Sequence, residues 1–380
     1  MKLSSAHSAY LDFVRFSAAT TVLLGHMMKD GFDMSWAPIA HFSHEAVVVF
    51  FVMSGFIIYS STAARGSDGL DYLVARASRI YSVALPAVLF SLALSLLVGW
   101  KAQQLIPSLP AWRPFSLADI AGSLLFINES WSAFRPSTQL TLNGPYWSLC
   151  YEVWYYVVFG LFYFVRSPWR WPLVILACLA AGPQVIALMP IWCLGAWLAA
   201  RYARLSQWTR HFAWFVFVCG PLLIVAIKVS GIDHSIKGQL HTTIPGFWRL
   251  EASQRLVTDH VAGLAIAAHL YAFSFLGPAV HRVFEHLRPI FVRLAGFSFT
   301  LYLFHRPMTD LAGHLVPPTW RTLPASMLAV LVFLVLCWLI SLGTEQRLPA
   351  WRAVLNRMLR GRPGTPNAAR PDAGAGPTST

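Results

Sequence analysis

The stretch that decides the fold is LDFVRFSAATTVLLGH, from Leu11 to His26. It is the first long apolar run of the chain and approaches the roughly 20 residues that a membrane-spanning helix needs. It nevertheless contains Asp12, Arg15 and His26. An ionisable residue inside a span costs roughly 2.5–3.5 kcal/mol on insertion scales, so each of the three is a candidate functional residue.

The composition places the bulk of the chain in a membrane. Of its 380 residues, 56% are hydrophobic and 12% are charged, whereas about 25% are charged in soluble domains. The net charge of +13 would suggest nucleic-acid binding in a soluble protein. Here, however, the basic residues form short clusters between apolar runs, where they set topology. We therefore expect the basic residues to interact with membrane lipids and not with nucleic acid.

Two other classes of feature are not expected. The cysteines all fall in apolar segments and form no close pair, so neither disulfides nor a metal site is predicted; they are Cys150, Cys178, Cys193, Cys219 and Cys337. Because the first apolar run contains Asp12 and Arg15 and lacks a small-residue cleavage site, we expect it to remain attached rather than act as a signal peptide.

Ten apolar runs predict an all-α membrane protein with about ten transmembrane helices. They lie at about 11–28, 44–63, 80–99, 146–165, 171–188, 190–202, 212–230, 260–280, 290–312 and 324–343. A further run, Leu117 to Asn128, is too short to span and is predicted to be re-entrant or interfacial. Placing both termini in the cytoplasm puts most loop arginines inside, as the positive-inside rule requires.

The domain prediction follows from these spans. Residues 1–350 form the transmembrane domain, and residues 351–380 are basic and then rich in Gly, Pro and Ala. We predict that this last segment is a disordered cytoplasmic tail. Any activity must then lie among the helices, and the absence of a visible internal repeat weakens a transporter interpretation.

Arg15 and His26 share one face of the first helix. They are eleven residues apart. In an α-helix, two side chains at this separation point to within about 20° of the same direction and lie about 16 Å apart along the helix axis. Asp12 is placed to pair with Arg15. The alternative is that Asp12 and Arg15 only anchor the helix at the interface by snorkelling.

Two further motifs carry polar candidates. FFVMSGF places Ser54 beside Gly55 in the second span, where small residues favour close helix packing. RASR places Arg76 and Arg79 three residues apart, on one side of the segment if it is helical. Paired guanidinium groups suit a phosphate-bearing ligand, and the alternative is that they only set topology.

The remaining candidates occur in three motifs. YWSLCYEVWYY carries Glu152, and a buried glutamate needs a partner; its Trp147 and Ser148 are further candidates, although the tryptophan also fits an interfacial aromatic belt. GFSFTLYLFHRP places Tyr302 one turn before His305, and LGTEQRLP places Glu345 at the end of the last span.

Five motifs of this chain, taken in order, resemble the signature of the acyltransferase family 3 membrane proteins. They are LDFVR with His26, FFVMSGF, RASR, NGPYWSLCYE and SFTLYLFHRP. The resemblance covers roughly residues 8 to 350. It implies a multi-pass protein of the bacterial inner membrane that acylates a hydroxyl of a cell-surface or exported glycan, or of a lipid-linked saccharide. It also implies acyl-CoA as co-substrate, with acetyl as the expected group, and no tightly bound cofactor.

The resemblance also implies roles for individual residues. The family's essential histidine corresponds to His26, which would act as general base, and its phosphate-binding arginines correspond to Arg76 and Arg79. Arg15 would lie along the path of the donor, and Glu152 would orient His26 if the helices bring the two together. Direct transfer and an acyl-histidine intermediate both remain open. Some members carry a C-terminal hydrolase-like domain, so a separate partner protein would supply that step here.

Two alternative functions also fit these residues. The first is an acyltransferase that modifies a small secondary metabolite from the cytoplasmic side. The second is a proton-coupled transporter, in which the intramembrane ionisable residues would form the pathway; these are Asp12, Arg15, His26, Glu152 and His305.

Overall fold

The computed structural model describes residues 3–66, 68–105, 115–134, 140 and 142–360. Within these ranges the chain is helical and contains no strand, which confirms the all-α prediction. The α-helices are α1 (Ser5–Lys29), α2 (Ser43–Arg65), α3 (Gly69–Leu105), α4 (Leu117–Leu124), α5 (Trp147–Phe164), α6 (Arg170–Ala181), α7 (Pro183–Arg201), α8 (Arg210–Ser230), α9 (Ile232–Thr243), α10 (Leu256–Ala272), α11 (Pro278–Ala295), α12 (Ser298–Leu315), α13 (Leu323–Gly343) and α14 (Leu348–Arg360).

Six of the described helical segments are long and apolar enough to cross a membrane, or seven if α11 and α12 count as one bent span. The six are Pro38–Ala64, Gly69–Leu97, Pro183–Arg201, Arg210–Ser230, Phe247–Phe275 and Leu323–Arg360. Helix α4, with eight residues, is too short to span, as predicted. The count of ten is not confirmed, and the cytoplasmic location of the termini stays a prediction.

The predicted boundary between the spans 171–188 and 190–202 is wrong, because Pro190 lies inside α7. The chain breaks at Gly182 instead, where φ is +91°. Glycine adopts this left-handed conformation without a steric penalty. Pro183 then begins α7, at a position where a backbone N–H would have no helical partner.

The predicted span 290–312 is not a single helix. Helices α11 and α12 meet at a bend of 44° that falls inside it. The first turn of α12 is capped by Glu345, whose Oε2 accepts hydrogen bonds from the backbone N–H groups of Phe299 and Thr300, both at 3.1 Å. The cap satisfies donors that the start of a helix otherwise leaves without partners.

The predicted boundary at residue 350 falls inside a helix. Helix α14 continues to Arg360, so the first ten residues of the predicted tail are ordered. Arg360 forms ion pairs with Asp68 and Asp71 at the start of α3. The rest of the predicted tail, residues 361–380, lies outside the described residues, as does Lys2 at the N-terminus.

Helices α2 and α7 are in backbone contact. A β-carbon added to Gly55 would lie 1.9 Å from the carbonyl oxygen of Trp192, and one added to Gly195 would lie 1.9 Å from that of Val52. Close packing at the SGF motif is thereby confirmed. Helix α1 packs against α2, α11 and α12, and its Leu23 is fully buried.

Candidate active site

A cavity of about 270 Å³ lies between α1, α2, α3, α5, α12 and α14. We name it the arginine cavity, after the four arginines in its lining. Its polar and charged lining residues are Arg15, Ser54, Ser61, Arg76, Arg79, Ser148, Glu152, Tyr156, Ser298, Tyr302 and Arg352. The structure therefore brings together seven of the candidates chosen from the sequence, which are Arg15, Ser54, Arg76, Arg79, Ser148, Glu152 and Tyr302.

Arg76 and Arg79 line this cavity from one side of α3. Helix α3 already begins at Gly69, so the RASR motif is helical and its spacing of three residues directs both side chains to one face. A guanidinium nitrogen of Arg79 lies 3.9 Å from Oε1 of Glu345. Two guanidinium groups on one wall suit the oxygens of a phosphate group.

Arg15 lines the same cavity from α1. It lies 3.9 Å from the carboxylate of Asp12, so the predicted ion pair is confirmed. Asp12 itself does not belong to the lining. Interfacial anchoring would not require Arg15 to face a polar cavity inside the helix bundle, so this position favours a role in binding.

Glu152 is held by hydroxyl groups. The hydroxyl of Ser54 donates to its Oε1 at 2.5 Å, and the hydroxyl of Tyr156 donates to the same oxygen. The indole N–H of Trp192 in turn donates to Ser54 at 3.1 Å. Ser54 is therefore a polar contact of the site as well as a packing residue, and these hydrogen bonds join Glu152 to Ser54 and Tyr156 rather than to His26.

The end of the cavity at α12 is closed by two hydroxyl groups. Those of Ser148 and Tyr302 lie 2.6 Å apart, and both also approach the carbonyl oxygen of Pro145. One turn further along α12, Nδ1 of His305 lies 2.7 Å from the carbonyl oxygen of Tyr302. The short segment from Tyr302 to His305 therefore joins the cavity to a second polar group.

That group is the histidine pair, His26 and His305. Nε2 of His305 lies 3.3 Å from Nδ1 of His26, and the ring centres are 5.0 Å apart. Nδ1 of His26 also lies 2.9 Å from the carbonyl oxygen of Val22. The residue that the structure places against His26 is therefore His305 and not Glu152.

The hydrogen bonds of the pair define its neutral tautomers. A carbonyl oxygen only accepts, so Nδ1 of His305 must donate to Tyr302, which leaves a lone pair on its Nε2. By the same argument Nδ1 of His26 carries a proton, directed at Val22 and His305. Nε2 of neutral His26 then holds the lone pair that a general base requires.

Charged residues fix the two helices of the pair against each other. One terminal nitrogen of Arg306 donates to both carboxylate oxygens of Asp30, each at 2.9 Å, and Arg306 also pairs with Asp310. Arg321 donates to the carbonyl oxygen of Asp30 at 2.6 Å. These contacts tie the end of α1, directly after His26, to the residues that follow His305.

Residues 8–342 match the family described as an acyltransferase domain, acyltransferase family 3. The chain belongs to this family. It is 23% identical over 338 residues to nodulation protein 10 of Rhizobium leguminosarum bv. viciae, covering 80% of this chain and 83% of that protein. It is 30% identical over 142 residues to the exopolysaccharide production protein ExoZ of Rhizobium meliloti, covering 37% and 41% respectively. No solved structure matches.

The family and the apolar helices establish a membrane O-acyltransferase. In this acyltransferase five of the predicted candidates lie outside the cavity lining, namely Asp12, His26, Trp147, His305 and Glu345. Trp147 packs against Tyr151, with ring centres 4.9 Å apart, and Glu345 caps α12 and pairs with Arg79. Both support elements that carry the site and do not themselves line the cavity.

Five polar residues of the acyltransferase site lay outside the sequence prediction, namely Ser61, Tyr156, Trp192, Ser298 and Arg352. Tyr156 follows Glu152 by one helical turn, and that spacing was a signal for their contact. Trp192 reaches Ser54 from another helix, and Arg352 reaches the cavity from the predicted tail. The last two contacts join segments that are distant in sequence, and no local pattern marks them.

Proposed function

We propose that this acyltransferase transfers an acyl group, with acetyl as the expected group, from cytoplasmic acyl-CoA to a hydroxyl of a cell-surface or exported glycan. The name of one relative, an exopolysaccharide production protein, supports a carbohydrate acceptor. A glycan or a lipid-linked saccharide would present such a hydroxyl. The single observation that carries the proposal is the arginine cavity, joined through Tyr302 to the histidine pair.

The arginine cavity is proposed as the donor site. Arg76 and Arg79 hold phosphate groups of the coenzyme, and Arg15 lies deeper, on the helix that carries His26. Its volume of about 270 Å³ lies just below the usual range for ligand pockets, about 300–1,000 Å³. The cavity therefore holds part of the donor, with the thioester directed towards Ser148 and Tyr302.

His26 is proposed as the general base. Its Nε2 takes the proton of the acceptor hydroxyl while the hydroxyl oxygen attacks the thioester carbonyl carbon. The carbon–sulfur bond then breaks, and the thiolate of coenzyme A takes the proton back from the imidazolium. The products are an ester and free coenzyme A, and no other reactant is needed. We assign stabilisation of the oxyanion to the hydroxyls of Ser148 and Tyr302, which line the cavity and would exchange their hydrogen bonds to each other and to Pro145 for bonds to the oxyanion.

The proposed topology places the donor side in the cytoplasm. Ten membrane spans with both termini inside, in the bacterial inner membrane, put Arg76, Arg79 and the start of α14 on the side where acyl-CoA is made. Reporter fusions at the C-terminus test this arrangement, and a periplasmic signal would contradict it. If transfer of the acyl group to the acceptor is completed outside the membrane, a separate partner protein carries out that step after this enzyme.

Complementation tests the function. A strain that lacks the enzyme is given the wild-type chain, His26→Ala or His260→Ala, and glycan O-acylation is read by mass spectrometry. His260 is a matched control, because its Nδ1 also bonds a carbonyl oxygen four residues earlier, that of Leu256, and it lies outside the arginine cavity. We expect acylation with wild type and His260→Ala only. Undiminished acylation with stably inserted His26→Ala would rule out its role as base.

A second measurement separates an enzyme for glycans from the two alternatives. Purified protein is given acetyl-CoA labelled in the acetyl group, with a glycan or with small hydroxylated metabolites. Label recovered as a glycan ester supports the proposal. Label recovered only in small metabolites, or transport without ester formation, contradicts it.

A further inference from the structure

Helix α14 forms part of the wall of the arginine cavity. Leu348, its first residue, and Arg352, one turn later, both belong to the lining, although the sequence assigns Arg352 to a disordered tail. Helix α14 packs along α3, the helix that carries Arg76 and Arg79. The cavity is therefore built from two ends of the chain that are more than 250 residues apart.

We propose that Arg352 is a phosphate-binding residue of the donor site and that α14 is the helix that completes this site. The proposal rests on the proposed function, because it assumes that the arginine cavity receives acyl-CoA. The ligand class is the phosphate groups of a nucleotide thioester. Nothing in the family match reaches this residue, since the matched region ends at residue 342.

The charges of the cavity support this assignment. Its lining holds four arginines and one carboxylate, that of Glu152. Two further carboxylates lie beside the lining, where Asp12 pairs with Arg15 and Glu345 pairs with Arg79, so the arginines still outnumber the carboxylates. Coenzyme A carries a diphosphate and a separate ribose phosphate, which lie too far apart for one pair of neighbouring guanidinium groups. Arg76 and Arg79 share one helix and Arg15 lies on α1, while Arg352 adds a cation from a third helix, α14, which packs along α3.

The two ends of α14 are tied to the same site. Before the helix begins, Glu345 contacts Arg79 through one oxygen and the first turn of α12 through the other. At its far end, Arg360 pairs with Asp68 and Asp71 at the start of α3. These contacts hold Arg352 over the helix that carries Arg76 and Arg79, which suits simultaneous contacts to one multiply phosphorylated ligand.

The phosphate of a lipid headgroup has the same chemistry as that of the coenzyme. Helix α14 is basic and amphipathic, a pattern that is also typical of helices lying on anionic membranes. Its other arginine before the end, Arg357, is exposed and lies outside the cavity lining. Arg357 is therefore the matched control, because it shares the helix and the charge but not the cavity.

The experiment compares Arg352→Gln, Arg352→Lys and Arg357→Gln in the full chain, reconstituted in nanodiscs of zwitterionic lipid. Binding of acetyl-CoA and of acetyl-pantetheine, which has no phosphate, is measured for each. We expect Arg352→Gln to weaken acetyl-CoA binding about tenfold or more, Arg352→Lys to weaken it less, and Arg357→Gln to leave it within about twofold. Acetyl-pantetheine binding should not change.

Three results would overturn the assignment. Equal acetyl-CoA affinities for wild type and Arg352→Gln would remove Arg352 from the site, while a loss with Arg79→Gln in the same assay would leave the proposed function intact. A loss seen only when anionic lipid replaces zwitterionic lipid would assign Arg352 to headgroups. Failure of wild type itself to bind acetyl-CoA would refute the donor site as a whole. Thermal unfolding of each variant checks its fold, and Arg352→Lys serves if Arg352→Gln unfolds.

Discussion

Nε2 of His305 lies within 3.3 Å of Nδ1 of His26, although the two residues are 279 positions apart in the chain. His305 is fully buried and is itself fixed by the carbonyl oxygen of Tyr302. Because that bond leaves Nε2 of His305 as an acceptor, the proton of His26 is held on Nδ1. The pair therefore sets which nitrogen of His26 is available for proton transfer.

Replacing His305 tests this positioning. His305→Leu removes one of the two acceptors of the Nδ1 proton of His26 and leaves the carbonyl oxygen of Val22. The imidazole is then held less firmly, and we expect kcat to fall about 5- to 150-fold, equivalent to the 1–3 kcal/mol of a lost buried hydrogen bond. His305→Gln retains an acceptor oxygen and should recover part of the loss. Steady-state kinetics of the purified enzyme measure both, and the KM for acyl-CoA should change little. Equal rates for the two variants would show that His305 serves packing alone.

Replacing the arginine pair tests donor binding. Arg76→Gln and Arg79→Gln each remove a charged hydrogen-bond donor from the cavity, so we expect the KM for acyl-CoA to rise roughly tenfold or more while kcat changes little. Arg282→Gln, an exposed arginine of α11 away from the cavity, should resemble wild type. A rise in KM for all three variants would instead indicate a general effect of net charge.

Replacing Glu345 separates stability from binding. Glu345→Ala removes the cap of α12, and we expect a loss of roughly 0.5–2 kcal/mol in stability, as for other helix caps. Glu345→Gln keeps an acceptor oxygen for the N–H groups of Phe299 and Thr300 but no charge for Arg79. It should therefore retain more stability than alanine. Thermal unfolding in detergent measures both variants, and a wild-type transition for Glu345→Ala would contradict the capping role.

Replacing Gly55 tests the contact between α2 and α7. Gly55→Ala places a β-carbon 1.9 Å from a backbone oxygen, so the helices must separate, and we expect a lower unfolding temperature together with reduced activity. Gly343→Ala is the control, because a β-carbon there meets nothing within 4 Å. Similar unfolding temperatures for the two variants would show that the close approach is not needed.

The helical periodicity of the sequence predicted much of the site, because several groups of site residues each lie within a single helix. The face shared by Arg15 and His26, the arginine pair and the Glu152 helix each follow from spacing within one helix. The span count was less secure for a physical reason. Helices α1 and α5 carry the ionisable and aromatic residues of the site, and neither is among the six apolar segments. The residues that make a membrane helix functional also weaken the hydrophobic signal by which it is recognised.

The contacts between helices were beyond prediction from one sequence. The breaks at Gly182 and before Ser298 both fall inside continuous hydrophobic runs, which outweighed the local signal of Gly182 followed by Pro183. Which residue lies beside His26 likewise depends on tertiary packing. Both Glu152 and His305 were chemically suitable, and only the packing of α1 against α12 decides between them.

The position of the Glu152 carboxylate depends on two glycines, which have no side-chain functional group. Ser54 reaches both Glu152 and Trp192 because Gly55 and Gly195 let the backbones of α2 and α7 touch. A mutational scan of this enzyme should therefore mark both glycines as intolerant of every other amino acid, at positions where no chemistry occurs. At this contact between α2 and α7, the pattern of tolerated substitutions would report the distance between two backbones and not the identity of a substrate.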